Sequence, residues 1–274
     1  MKRDLKSFKL ISAVLLVLFV CVAAAPATEA GGKKMPAEYN CGSADVLSGD
    51  MYVLSCFVSA DNTQWTANEK KEALAALSKS QSWLQKQAKR YNAPLTFTGG
   101  SFGQTADIKN NDIGYGTACG NERVDVISEV LTSIGYDGPR DFYKWVLTNT
   151  TCTKTYILLF VKGKGISYSM PYTKRCNPDV YFVEGSVIYS HDPEGHKLNE
   201  SDIAHETFHL FGAWDLYETF EQTAKREARA RELYPNDIML RTSYNINELE
   251  VSELSAWAIG WNNNYKPIFN WFKP

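Results

Sequence analysis

The chain has 274 residues, with 29 Lys and Arg against 31 Asp and Glu and a formal net charge of −2. That near-balance gives no electrostatic reason to expect nucleic acid or an anionic membrane surface as a partner. Hydrophobic residues make up 44% of the chain, enough at this length for one large domain with a substantial core.

The N-terminus carries Lys2, Arg3, Lys6 and Lys9, then the uncharged apolar run Leu10 to Ala25, then Pro26 and Ala27. The run is shorter than the roughly 18–20 residues a spanning helix needs, and its basic head and small-residue tail predict a secretory signal peptide over 1–30. Cleavage just after Ala25 takes away Lys2, Arg3, Lys6, Lys9 and Asp4 and leaves a net charge of −5. The expected address is therefore secreted, extracellular or periplasmic, with no membrane contact after cleavage. Cys41, Cys56, Cys119, Cys152 and Cys176 remain, none of them in a CxxC pair. An oxidising compartment predicts two disulfides and one leftover thiol, and loop length favours Cys41–Cys56 and Cys152–Cys176.

Residues 31–45 are rich in Gly, Lys and Pro and read as a loose arm, leaving 46–274 as the folded domain. Met51 to Val58 has strand composition. Thr66 followed by Glu69 is a capping box, and Ala73, Leu77, Leu84 and Ala88 recur at helical spacing, predicting a helix from Ala67 to Tyr91. Leu95 to Phe97 reads as a strand, Gly99 to Gly120 as an irregular segment, and Val124 to Ile134 and Asp141 to Leu147 as helices. Tyr156 to Val161 is a continuous apolar run suited to a central strand, with further strands at Ile166 to Met170 and Val180 to Ile188. Tyr217 to Tyr234 reads as a long charged helix with a solvated face, and Asn247 to Trp261 as a C-terminal helix.

Between these lies His205-Glu206-Thr207-Phe208-His209, in a helix predicted to be capped by Ser201 and stopped at Gly212. Residues four apart stack on one helix face, so both imidazoles can meet one ion. Glu206 lies beside them, placed to take a proton from a zinc-activated water. The chain has only 4 His, so this spacing points strongly to a metal site. Asp215 follows Gly212 by three residues and is the leading third ligand. Glu218, a glutamate within 221–232, and His191 or His196 are the alternatives.

The run His205-Glu206-Thr-Phe-His209-Leu-Phe-Gly212-Ala-Trp-Asp215 resembles the HExxHxxGxxD zinc motif of the metzincin clan, in its snapalysin-like form. Pro235-Asn236-Asp237-Ile238-Met239 resembles that clan's Met-turn. The resemblance implies an α+β zincin-like fold. It would have a twisted mixed sheet, a long backing helix and an active-site helix, with a small helical C-terminal subdomain beginning near residue 213. It implies Zn2+ on His205, His209 and Asp215, with Glu206 as general base in peptide-bond hydrolysis and a protein or peptide as substrate. Tyr244 is offered as an oxyanion residue or cleft wall. The rival expectation is a non-catalytic zinc-binding secreted protein on the same scaffold.

Overall fold

The computed structural model describes residues 41–59, 63–104, 125–174, 176 and 182–274. The expected signal peptide at 1–30 and most of the segment expected to be irregular lie outside these residues.

The sheet comprises β1 (Gly49–Val58), β2 (Leu95–Gln104), β3 (Lys154–Lys164), β4 (Tyr168–Met170) and β5 (Gly185–His191), in the order β2-β1-β3-β5-β4. The β1–β2, β1–β3 and β3–β5 pairs are parallel, and β4 runs antiparallel to β5 at one edge. The fold is thus α+β with a mixed sheet. β2 extends to Gln104, further than the Gly-rich composition after Gly99 suggested. At Gly99 a side chain would collide with the Val53 carbonyl of β1, so glycine is what allows the two strands to approach there.

Strand alternation divides the interior in two. Met51, Val53, Phe57, Leu158 and Phe160 face one apolar cluster, while Leu54, Cys56, Val58, Leu159 and Val161 face another. β3 is therefore buried on both faces, which is why it reads as an unbroken apolar run. Each fully buried Leu, Ile or Phe there contributes about 1.5–3 kcal/mol.

On the first face lie α1 (Ala67–Arg90) and α4 (Glu200–Leu210). The Thr66–Glu69 capping box forms as the sequence predicts, and Ala73, Leu77, Trp83, Leu84 and Ala88 are the buried stripe of α1. The second face is covered by α2 (Asp125–Ser133) and α3 (Pro139–Asn149). No described helix is long and apolar enough to cross a membrane.

Several expectations need correction. The charged stretch after Tyr217 is helical only as α5 (Ala224–Leu233). Thr223 caps it, and before it a turn between Thr219 and Gln222 is anchored by Gln222 Nε2–H on the Phe272 carbonyl, 2.7 Å away. The single C-terminal helix is instead a 3-10 turn (Ile246–Glu248) and a short α6 (Glu253–Ala258). Between them Glu250 bridges to Asp237 in extended conformation, and Ser252 caps a fresh start. Residues 41–45, assigned to the loose arm, include buried Ser43 and Ala44. The Ser43 N–H and hydroxyl both donate to the buried Glu184 carboxylate. Cys56 and Cys152 are free thiols, so neither expected disulfide forms. Burial pushes the Cys56 thiol up to about 12.

Candidate metal centre

α4 is capped by Asn199, two residues before the expected cap Ser201. Asn199 Oδ1 accepts the Ser201 N–H at 2.8 Å, and Asp202 Oδ2 accepts the Asn199 N–H at 3.0 Å. Ser201 is buried instead, and its Oγ accepts the Ser243 N–H at 2.9 Å. At the other end Gly212 takes φ 93, the left-handed conformation that ends helices. Its N–H donates to His209 O at 3.0 Å and the Ala213 N–H donates to Phe208 O at 3.2 Å. This cap turns the chain back so that Asp215 returns to the helix face carrying the histidines.

There His205 Nε2 and His209 Nε2 are 3.1 Å apart, and Asp215 Oδ1 lies 3.2 Å from the first and 3.1 Å from the second. His205 Nδ1–H donates to Ile238 O at 2.9 Å and His209 Nδ1–H to Ala213 O at 3.0 Å. A carbonyl can only accept, so each ring carries its proton on Nδ1 and the neutral ring turns an Nε2 lone pair inward. Asp215 Oδ1 is buried and receives no hydrogen bond. Three lone-pair atoms meeting at this distance repel one another unless a cation, metal or proton, lies among them. Protons can serve: the Asp215 charge outweighs burial and lifts His209 to about 9, and the Asp215 contact likewise raises His205. Burial opposes ionisation of Asp215, but His209 and then His205 hold it well below the usual carboxylate range. Two nitrogens and one carboxylate oxygen form a donor set that could hold a metal ion, with ring orientation fixed by carbonyls behind it.

Ile238 belongs to the turn that carries Met239. Asp237 is buried and takes the Met239 N–H at 2.7 Å, the Ser252 N–H at 2.8 Å and the Ser255 hydroxyl at 2.9 Å. The Met239 carbonyl accepts the Leu216 N–H at 2.8 Å, which ties the turn to the residue after Asp215. Met239 itself is fully buried in the core beneath α4.

Glu206 is buried beside the donor set and lines a cleft of about 690 Å³ with His205, Asp202, Tyr189, Tyr217 and Tyr244. Tyr244 is 68% exposed, and its ring lies 6.4 Å from His196, which makes it cleft wall and not core. Of the alternative ligands, Glu218 is exposed and its N–H donates to Glu227 at 2.6 Å. His196 pairs with Asp192 at 2.8 Å on the cleft rim, and His191 Nδ1 meets Ser190 Oγ at 3.0 Å.

Two site residues escaped the sequence reading. Tyr217, whose ring lies 6.0 Å from that of His205, was assigned to a helix that does not form there. Ser169 on β4 sets its Oγ 2.8 Å from Glu206 Oε2. No family model matches this chain, and neither does any curated protein.

Proposed function

We propose that this protein is a secreted zinc-dependent endopeptidase, with His205, His209 and Asp215 holding the metal and Glu206 as general base. The observation that carries the reading is the convergence of three lone-pair donors beside a carboxylate that opens on a cleft. Zinc bound there would supply a Lewis acid that polarises a carbonyl and lowers the pKa of water towards about 7.

The chain's own residues account for the remaining chemistry. Ile238 O and Ala213 O hold the two rings with Nε2 inward. Asp215 contributes negative charge that offsets part of a dication's charge. Glu206 Oε2 accepts from Ser169, and Glu206 lines the cleft. Oε1 takes a proton from the attacking water and returns it to the departing amine nitrogen. The metzincin assignment is part of the same reading. It is supported by the Asp-ended motif and by the buried turn at Met239 bonded to His205 through Ile238. Secretion rests on the composition of residues 1–30.

The test is Glu206→Gln. Zinc content and melting temperature are expected to stay at wild-type values while chelator-sensitive peptidase activity falls about 10²–10⁴-fold. A variant with near-wild-type turnover contradicts the mechanism. A wild type that binds zinc but cleaves no peptide points to the non-catalytic zinc protein.

A further inference from the structure

β4 is only three residues long, yet it carries a side chain that hydrogen-bonds the proposed base. Tyr168 and Met170 face the second core cluster, so the alternation of the strand turns Ser169 to the opposite face, towards α4. In the antiparallel register Ser169 lies directly opposite Ser186 of β5. The two hydroxyl oxygens are 2.8 Å apart. Ser169 Oγ is also 2.7 Å from the Glu206 carbonyl and 2.8 Å from Glu206 Oε2.

A serine hydroxyl has one proton to give and two lone pairs to receive with. Ser186 is buried and has Ser169 as its hydroxyl partner, so the Ser186 proton goes to Ser169 Oγ. The Ser169 proton is then committed to Glu206, shared between its backbone oxygen and Oε2. Ser169 thus holds Glu206 as donor, while Ser186 holds Ser169. A buried carboxylate with one anchored oxygen loses most of its rotamer freedom, and the anchor leaves Oε1 free of Ser169.

We infer that Ser169, backed by Ser186, is a positioning residue that fixes the Glu206 carboxylate for its work as base and then acid. The inference rests on the peptidase reading for its kinetic consequence, but its structural half stands without it. Misplacement of a catalytic group by about 1 Å costs on the order of 10²-fold in rate, and loss of a supporting hydrogen bond about 10–100-fold.

The experiment has two readings. Crystal structures of metal-free wild type and Ser169→Ala are expected to differ at Glu206, with the wild-type carboxylate on Ser169 and the variant's carboxylate displaced or split between rotamers. An unchanged single position overturns the inference. Steady-state kinetics on a quenched-fluorescence peptide are expected to give a kcat reduced about tenfold or more with KM within about twofold. Ser169→Thr, which keeps the hydroxyl, should recover most of kcat. A kcat within twofold of wild type for Ser169→Ala, or no recovery in the threonine variant, also overturns it. If Ser169→Ala does not fold, Ser169→Cys keeps the shape with a weaker donor and is read by the same two criteria. A wild type without chelator-sensitive activity would end the peptidase reading, while the crystal comparison still decides the role of Ser169.

Discussion

Asp215 meets His205 directly and Asp237 precedes Ile238, whose carbonyl takes the His205 Nδ1–H; both are largely withdrawn from water, yet their surroundings are opposite. Asp237 is met by hydrogens: two peptide N–H groups and the Ser255 hydroxyl, at 2.7–2.9 Å. Burial raises its pKa and those donors oppose the rise. Asp215 meets the Nε2 atoms of two imidazoles whose Nδ1–H groups are spent on carbonyls; burial opposes its ionisation, and positive charge on His209 and then His205 holds it well below the usual range. A buried carboxylate among donors builds structure, because its lone pairs are already answered. A buried carboxylate among acceptors asks for a cation, and that is what distinguishes a binding site from a brace. Glu184 belongs with Asp237: burial pushes it up to about 8, opposed by donors from Ser43 and Ala44.

If that contrast is right, substitution at the brace should harm the fold more than the chemistry. Asp237→Ala leaves the Met239 and Ser252 N–H groups buried without partners, at about 1–3 kcal/mol each. Chemical denaturation should therefore report a loss of about 3 kcal/mol or more. Zinc affinity should fall only as far as the Ile238 carbonyl behind His205 is displaced. A variant as stable as wild type would erase the contrast.

Glu184 gives a smaller and pH-dependent effect. Its folded-state pKa is about 8 against 4.5 for an unperturbed glutamate, so between those values the folded chain holds a proton that the unfolded chain has released. Its contribution to stability is therefore complete below the unfolded value and is lost as pH rises through about 8. The slope is at most about 1.4 kcal/mol per pH unit. Glu184→Gln keeps an acceptor for the Ser43 and Ala44 N–H groups and removes the titration, so its melting temperature should decline less from pH 5 to pH 8 than that of wild type. Parallel declines would mean that the Ser43–Glu184 clamp is not where the proton is held.

What could be read from the chain alone was local. His205, Glu206 and His209 lie within one helical turn and a little more, Gly212 ends that helix, and Asp215 follows at once. Thr66 and Glu69 likewise signal a helix start within four residues. The unread parts depend on partners remote in sequence. Ser169 meets Glu206 across 37 residues, and Ser43 meets Glu184 across 141. No short pattern encodes such pairs. Val251, Leu254 and Ala258 have helical spacing, yet the bridge from Glu250 to Asp237 holds the chain extended up to the start of α6. The periodicity was real burial, satisfied by a different backbone. The cap of α4 was misread because Asn199 and Ser201 are both good caps, and Ser201 is taken up by the Ser243 N–H.

The central claim is that His205, His209 and Asp215 form one cation site, and zinc titration of the metal-free protein tests it most directly. Calorimetry with metal analysis should find one tightly bound zinc per chain and release of protons on binding, since His205 and His209 have raised pKa values before metal arrives. Outer partners of a metal ligand cost about 10–100-fold in affinity, so Asp215→Ala should cost more than about 100-fold, and Glu218→Ala should leave affinity unchanged. No stoichiometric zinc in wild type, or equal affinities in wild type and Asp215→Ala, would contradict the account.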